Sequence, residues 1–307
     1  MRAMNHPSTF QRSPRGHALV GTALREWRTR RRLSQMELAL DVGVSTRHLS
    51  FIETGRSRPS APMLLALAQR LDVPLRERNR LLLGAGYAPQ FGEQSLAAPE
   101  MQAVTDALHR VLDAHDPYPG LIFDRGWNVV LANTAAQQMM HMLAPELRTP
   151  PVNILRASLH PQGFARYTLN FADWAWSLLD SVAHVRQQTG DARVAQLEAE
   201  VRAYPNVQAL LQAPRPALSA PAVVLPCEMD FGQGRLSLFT TVSTLGTPQD
   251  ITLSELAMEL FYPADGPSRE RLEASAAASR HSGDKDRREP SRSIAANLSA
   301  SSGGLNR

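Results

Sequence analysis

Hydrophobic residues follow a helical period in the first part of the chain and a mixed period in the second. From Val20 to Leu83 the apolar positions recur every three or four residues, which is typical of amphipathic helices. Five short helices are predicted in this part, and the first of them spans Val20 to Arg31. Since five such helices can surround one core, residues 17–91 are predicted to form an all-α domain.

The segment from Ser34 to Arg58 predicts two helices joined by a tight turn. Ser34 and Glu37 have the spacing of a capping box at the start of the first helix. The predicted apolar face of this helix consists of Met36, Leu38, Ala39 and Val42. Gly43 allows the left-handed backbone that such a turn requires, and Ser45 then caps the second helix.

A turn this short leaves one side of the second helix pointing away from the core, where it can enter a groove of DNA. The residues predicted to contact DNA are Gln35, Ser45, Thr46, Arg47, His48, Ser50, Phe51, Arg56 and Arg58. An ordinary helical hairpin with a solvated polar face is the alternative interpretation. The capping box, the glycine turn and the basic residues that follow favour DNA binding, because they occur together and in the expected order.

The distribution of charge points to a polyanionic partner for the first domain. Residues 10–91 carry 14 arginines against 6 acidic residues, a net charge of +8. Residues 92–265 carry 10 basic against 18 acidic residues, a net charge of −8. Long-range repulsion would keep DNA away from the acidic part. Four arginines near the end of the first helix are placed to contact phosphates, namely Arg25, Arg30, Arg31 and Arg32.

With these motifs, the segment from about Val20 to Gly86 resembles the Cro and phage-repressor type of helix-turn-helix, the XRE family. The resemblance implies a phosphate contact for Gln35, base-edge contacts for Thr46, Arg47 and Phe51, and an internal salt bridge between Arg28 and Glu53. Phe51 departs from the polar residue usual at its position. An aromatic ring there can contact a thymine methyl group but cannot hydrogen-bond a base.

After a polar linker over residues 92–100, the second half alternates between strand and helix patterns. A first amphipathic helix, residues 101–115, is interpreted as either a lid on the second domain or a dimer seam. The strands predicted after it are 121–123, 129–131, 223–229, 236–242 and 256–262, with helices over 154–211 and a helix as the alternative for 253–259. Two strands, several helices and three strands predict an α+β PAS-like domain over residues 101–265, an antiparallel sheet with helices over one face.

This half resembles the MmyB-like ligand-binding domain of a subgroup of bacterial XRE regulators. The resemblance rests on the Pro119–Asn133 hairpin and on Gly246-Thr-Pro-Gln-Asp250 before the last strand, together with the motif ahead of it. It implies a pocket for a small apolar molecule, with fatty acids as the expected class. Residues predicted to line that pocket are Phe171, Trp174, Trp176, Leu178 and Phe239, and the candidates for binding a carboxylate are Arg125, Arg156 and Arg166. Plain core packing is the alternative for the aromatic residues.

Other classes of protein find less support in the sequence. Cys227 is the single cysteine, so an intrachain disulfide and a cysteine-rich metal site are excluded. No catalytic motif, cofactor motif or metal-ligand spacing is evident. The absence of a long apolar run indicates a cytoplasmic protein without a membrane partner. Residues 1–16 and 266–307 are expected to be a disordered leader and tail.

The sequence therefore predicts a dimeric transcription regulator that binds double-stranded DNA and senses a small apolar ligand. Two alternatives stay open. In the first, the second domain only dimerises and takes no ligand. In the second, an enzyme such as a hydrolase is joined to a DNA-targeting module.

Overall fold

The computed structural model describes residues 14–215 and 224–282. These residues divide into two compact units. The first comprises the described residues up to Gly92 together with residues 249–251, and the second comprises residues 93–248 and the chain from Thr252 onward.

The first unit is helical, which confirms the predicted all-α fold. Its helices are α1 (Pro14–Arg30), α2 (Gln35–Val42), α3 (Thr46–Glu53), α4 (Ala61–Arg70) and α5 (Leu75–Gly84). They enclose one apolar core, in which Leu24, Leu49 and Leu64 are almost fully buried. Helix α1 begins at Pro14 rather than Val20, so residues 14–16 of the expected leader are helical. Residues 1–13 lie outside the described part of the chain.

The local signals around the turn between α2 and α3 are confirmed. The Ser34 hydroxyl accepts a hydrogen bond from the Glu37 N–H at 3.1 Å, and the Glu37 carboxylate accepts one from the Ser34 N–H at 2.7 Å. Gly43 has a φ of 73°, the left-handed conformation that reverses the chain. The Ser45 hydroxyl caps α3 by accepting from the His48 N–H at 3.1 Å. Both helices therefore start and stop where the sequence predicts.

One residue of the predicted apolar face of α2 lies outside. Met36 is 69% exposed, whereas Leu38 and Ala39 are buried. Two residues correspond to about 200° of rotation around a helix, so Met36 lies almost opposite Leu38. The prediction was wrong because it counted apolar residues without fixing the direction of the face.

The second unit is an α+β fold, as predicted. In chain order its elements are α6 (Gln102–His115), β1 (Gly120–Phe123), β2 (Val129–Ala132), α7 (Thr134–Met140), α8 (Ile154–Leu159), α9 (Phe171–Thr189), α10 (Ala192–Arg202), α11 (Pro205–Gln212), β3 (Cys227–Asp230), β4 (Arg235–Thr244), α12 (Ile251–Ser254), β5 (Ala257–Pro263) and α13 (Gly266–Ser282). The strands form an antiparallel sheet in the order β2-β1-β5-β4-β3.

Helices cover both faces of this sheet, not one face as predicted. On one face, Leu121 and Phe123 pack with buried residues of α8, α9, α10 and α11. On the other face, Ile122 packs with Leu108 and Leu112 of α6. Successive residues of a strand point to opposite sides, so β1 contributes to both cores. Helix α6 is therefore a cover for the sheet, which agrees with the lid interpretation.

Part of the expected tail is ordered as α13. Ser268, near the start of this helix, is fully buried, and its hydroxyl accepts a hydrogen bond from the Ser237 N–H of β4 at 2.9 Å. Asp265 accepts from the Ser268 N–H at 2.7 Å. Polar contacts to the sheet thus hold a segment whose composition alone predicts disorder, and the prediction was wrong for residues 266–282. Residues 283–307 lie outside the described chain.

Candidate nucleic-acid interface and internal cavity

Helix α3 is fixed in the first unit by a buried polar network around Glu53. The Glu53 carboxylate accepts two hydrogen bonds from the Arg28 guanidinium, at 2.7 Å and 2.9 Å, and one from the Gln35 amide at 2.7 Å. The Glu53 side chain is 1% exposed. The hydrogen bond to Glu53 raises the pKa of the Arg28 guanidinium above its ordinary value. The salt bridge implied by the XRE resemblance is therefore confirmed, and it joins α1, α2 and α3.

The predicted phosphate contact of Gln35 has to share the amide with this network. One N–H of the side-chain amide is used by Glu53, which leaves its second N–H and the backbone as possible donors.

The close approach of α1 and α3 depends on Gly21, which the sequence analysis did not single out. A Cβ atom on Gly21 would lie 2.3 Å from the Ile52 carbonyl oxygen and 2.7 Å from the Glu53 carbonyl oxygen. The signal was available, because a glycine inside a strongly helical pattern often has a packing reason.

The side of α3 that faces away from this network carries the residues predicted to read DNA. Thr46 and Arg47 are exposed, and His48, Ser50 and Phe51 are partly exposed. The Arg47 guanidinium carbon lies 5.4 Å from the centre of the Phe51 ring. An arginine at the start of such a helix can form a bidentate pair with guanine, and an aromatic ring one turn later can contact a thymine methyl group. The structure thus brings these five residues together on one accessible helix face.

The two arginines after α3 have different surroundings. Arg56 is exposed, which suits a phosphate contact. Arg58 instead stacks on Tyr87, with its guanidinium carbon 4.5 Å from the ring centre, and its Nε and Nη2 atoms are buried without a hydrogen-bond partner among the described residues. Tyr87 is held in turn by a hydrogen bond from its hydroxyl to the Pro59 carbonyl at 3.0 Å. This packing, which depends on a tyrosine outside the predicted motif, makes Arg58 part of the structure of the loop.

A cavity with a volume of about 70 Å³ lies in the second unit between the sheet and its helices. Apolar groups line nearly all of it, and the side chains of the lining that carry a polar group are Ser158, Thr168, Trp174 and Cys227. The lining residues are Pro119, Leu121, Ala136, Met139, Met140, Val152, Ile154, Ala157, Ser158, Phe164, Thr168, Trp174, Cys227, Met229 and Phe261.

Of the five residues predicted to line a ligand pocket, Trp174 lines this cavity. Phe171, Trp176 and Leu178 pack against the core beneath the helices and are absent from the lining, as the core alternative had it. Phe239 lies on the opposite face of the sheet, where its ring stacks on Tyr262 at a centre distance of 5.2 Å. The prediction for Phe239 was wrong because Leu238, its neighbour in the strand, faces the cavity side and adjacent residues alternate.

The arginines considered for a ligand carboxylate are also engaged elsewhere. Arg156 forms a bidentate pair with Glu200 at 2.7 Å and 2.8 Å, and Arg125 forms an ion pair with Glu255 at 3.2 Å. Arg166 stacks on Tyr167 at 4.6 Å and donates to the Met142 carbonyl. Among the described residues, no basic side chain lines the cavity.

Two titratable groups belong to the sheet face that borders the cavity. Cys227 lines the cavity, and burial raises the pKa of its thiol to about 12. Glu259 lies in the middle of β5, and burial raises the pKa of its carboxyl group to about 7. A hydrogen bond with Thr240 acts in the opposite direction and lowers that pKa. Glu259 was not predicted from the sequence, although a single acid within the apolar strand Ala257–Pro263 is a visible signal.

Comparisons with known proteins agree with this arrangement. Residues 24–78 match a helix-turn-helix family, and residues 104–274, more than half of the chain, match the MmyB-like transcription regulator ligand binding domain. The chain belongs to the MmyB-like transcription regulators. Its two matched domains are those of a DNA-binding transcription regulator that has a ligand-binding domain.

Matches to individual proteins add little. No curated protein matches the chain. Among solved structures, the clp gene regulator ClgR from Corynebacterium glutamicum is 26% identical over 33% of this chain and 95% of its own length, with a TM-score of 0.21. In the described part of this MmyB-like regulator, no helix is both long and apolar enough to cross a membrane.

Proposed function

We propose that this regulator acts in the cytoplasm, binds operator DNA as a homodimer through the exposed face of α3, and responds to a small ligand with an apolar body held in the cavity. The observation that carries the DNA-reading part is the placement of α3. Its inner side is fixed by the Glu53 network, and its outer side presents Thr46, Arg47, His48, Ser50 and Phe51. A reading helix needs both properties, because base contacts demand a fixed geometry.

The homodimer follows from how such domains dock. Helix-turn-helix proteins of the repressor type bind two half-sites that are related by two-fold symmetry and lie roughly 34 Å apart. We therefore expect an operator with inverted half-sites about one helical turn apart. Arg56, exposed just after α3, then contributes a phosphate contact in each half-site.

The cavity favours a ligand over the alternative in which the second unit only dimerises. A domain that only dimerises has no need of a space in its core, whereas an apolar cavity of about 70 Å³ is present here. Each methylene buried in such a lining contributes about 0.8 kcal/mol. The hydrocarbon part of a fatty acid suits these walls, but its carboxylate meets no basic side chain among the described lining residues.

The DNA-reading part is tested by selecting bound sequences from a random DNA library with the full-length protein, followed by footprinting. We expect a motif made of two inverted half-sites, both protected. A single asymmetric half-site would contradict the homodimer, and enrichment of no sequence would contradict the reading role of α3. The ligand part is tested by native mass spectrometry of protein purified from cells. Added mass that organic extraction removes is the expected result, and a homogeneous mass equal to that of the polypeptide would support the dimerisation alternative.

A further inference from the structure

Strand β4 is longer than the strand that pairs with its outer side. Residues 235–238 of β4 pair with β3, and β4 continues to Thr244. On the inner side, β5 pairs with residues 238–244 of β4. Residues 239–244 therefore have a strand on one side, and the described part of the chain places no strand on the other. We call residues 239–244 the open edge of β4.

Backbone groups point out of the open edge at every second residue. The Ser237 carbonyl accepts a hydrogen bond from the Ala264 N–H at 2.8 Å, so residue 237 directs its groups to the side of β5. In an antiparallel sheet, the N–H and C=O of one residue point to one neighbouring strand, and those of the next residue point to the other. Thr240, Val242 and Thr244 therefore direct their N–H and C=O groups outward. Within the described chain, no backbone hydrogen bond reaches these groups from beyond the sheet.

The open edge lacks the features that usually keep strands from pairing. Proteins protect such an edge with a charged residue, a proline or a bulge. The open edge reads Phe-Thr-Thr-Val-Ser-Thr, and its pairing with β5 keeps one unbroken register. Residues 241–244 are exposed, and the apolar side chain of Val242 is 60% exposed. The open edge is thus available to another strand.

We propose that two copies of this chain pair through the open edge, β4 against β4, around a two-fold axis at Val242. This inference rests on the proposed homodimer and supplies its contact surface. In the antiparallel register centred on Val242, this residue faces Val242 of the partner subunit, and Thr240 faces Thr244 of the partner subunit. Each outward-directed residue then exchanges two backbone hydrogen bonds with the other copy.

The side chains of the open edge suit pairing with a second copy. A strand that pairs with itself brings equal charges close together, and the open edge carries no charge. Valine opposite valine and threonine opposite threonine are favourable cross-strand pairs. Pairing of this kind is isologous and produces two-fold symmetry, which inverted half-sites on DNA also require.

The length of β4 suits this register as well. Level with Leu238, where β3 begins, stands Gly246 of the partner subunit. Because β4 ends two residues earlier, at Thr244, the two strands fill the open edge without running into β3. Pro226 directly precedes β3 and has no N–H for a strand ladder, so β3 does not extend along the open edge. Leu225 packs instead in the cluster of Trp174, Cys227 and Met229.

The test places charges at the two-fold axis. Val242→Lys brings two like charges together and should weaken the dimer about 100-fold or more, and Val242→Glu should do the same. An equal mixture of the two variants should recover the dimer, because the charges at the axis are then opposite. Sedimentation velocity of the full-length proteins should give twice the chain mass of 33.8 kDa for the wild type and the mixture, and the single mass for each variant alone. Circular dichroism checks that each variant is folded.

Val111→Lys is the matched control. Val111 is 46% exposed on α6, the helix that was the other candidate for a dimer seam, and its substitution should leave the mass unchanged. If Val242→Lys left the dimer intact, if the mixture stayed monomeric, or if Val111→Lys separated the dimer, the pairing of β4 would be overturned while the homodimer stood. A wild type that is monomeric both free and on operator DNA would contradict the homodimer together with this inference.

A second measurement needs no variant. Hydrogen exchange of the wild type, at concentrations above and below the dissociation constant of the dimer, follows the amides of residues 240, 242 and 244. We expect these amides to exchange more slowly in the dimer, since they donate hydrogen bonds across the axis. Equal exchange at both concentrations would overturn the inference, and slow exchange at both would mean that the chain covers its own edge, for example with residues 216–223.

Discussion

Glu53 in the first unit and Glu259 in the second are both carboxyl groups held inside a fold, and their partners differ. Glu53 accepts hydrogen bonds from Arg28 and Gln35, so its charge is compensated by neighbours that also belong to the helix framework. Glu259 has the Thr240 hydroxyl and an apolar lining beside it. Burial, with no cation beside the carboxyl group among the described residues, raises the pKa of Glu259 to about 7.

The charge of Glu53 therefore has a structural role, whereas a charge on Glu259 is not compensated by the described residues around it. A paired and buried carboxylate fixes three helices, and its energetic value lies in the geometry that it imposes on α3. A carboxyl group without a cation is unstable when charged and is therefore sensitive to pH. In the first unit the pair thus holds α3 in a fixed position, whereas in the second unit Glu259 is sensitive to pH.

The largest effect should come from removing the paired carboxylate. Glu53→Ala leaves the Arg28 guanidinium without its partner, and breaking a buried pair from one side costs about 3–5 kcal/mol. We expect the free energy of unfolding of the first unit to fall by that amount in urea denaturation followed by circular dichroism. Glu26→Ala, an exposed position on α1, is the matched control and should change stability by less than about 0.5 kcal/mol. A loss below about 1 kcal/mol for Glu53→Ala would show that Glu53 does not fix the helices.

The second effect concerns the carboxyl group without a cation. Because its folded pKa of about 7 is higher than the ordinary 4.5, the native state holds the proton more tightly, and Glu259 favours folding most at low pH. Its contribution should be lost as the pH rises from about 4.5 to 7, by up to about 3 kcal/mol. Glu259→Gln should therefore be more stable than the wild type at pH 8, with a smaller difference at pH 5, in urea titrations at both values. An equal difference in stability at pH 5 and pH 8 would show that the carboxyl group of Glu259 is hydrated and has its ordinary pKa.

The third effect should appear in DNA binding and not in folding. Arg47→Ala removes one side chain from the exposed side of α3, and we expect a loss of about 1–3 kcal/mol at one base position together with relaxed preference there. Arg56→Ala should weaken all sequences alike and lower the salt slope by about one unit. The two variants are compared in binding titrations over a range of salt. Unchanged base preference in Arg47→Ala would mean that another face reads the DNA.

The smallest effect should come from the cap that starts α3. Ser45→Ala leaves the His48 N–H without the hydroxyl that accepts its hydrogen bond, and such a loss costs about 1 kcal/mol. Ser45→Asn should restore most of the stability, since asparagine caps helices well. Thermal unfolding of the three proteins measures both changes. If Ser45→Ala and Ser45→Asn were equally stable, the cap would not help to hold the reading helix in place.

The first unit could be predicted well because its decisive signals are local. The capping box of Ser34 and Glu37, the turn at Gly43 and the cap at Ser45 each involve residues a few positions apart, and the XRE resemblance added the pair of Arg28 and Glu53. What the sequence did not show was long-range. The stacking of Arg58 on Tyr87 joins residues that are distant in the chain and that no local period relates.

The second unit shows the same limit more strongly. Strand positions were visible, but which residues face the cavity depends on how strands pair and on where helices cross them. Phe239 and Leu238 are adjacent in sequence and lie on opposite faces, so an error of one position exchanges core for surface. The pairing of Glu259 with Leu121 places Glu259 on the cavity side of the sheet, and the sequence alone does not specify this pairing. The order in α13 likewise depends on Ser268 meeting β4.

The strand order of the sheet also has a consequence for synthesis of the protein. Strand β1 lies between β2 and β5, and β5 follows it by more than a hundred residues, so the centre of the sheet joins distant parts of the chain. Pairings of this kind form slowly because the entropy of closing a long loop is lost before any contact stabilises the closed loop. The first unit depends on helices that are close in sequence and can form while the ribosome is still making the rest. A nascent chain therefore passes through a stage in which the helical part has folded and the sheet still lacks β5, its central strand.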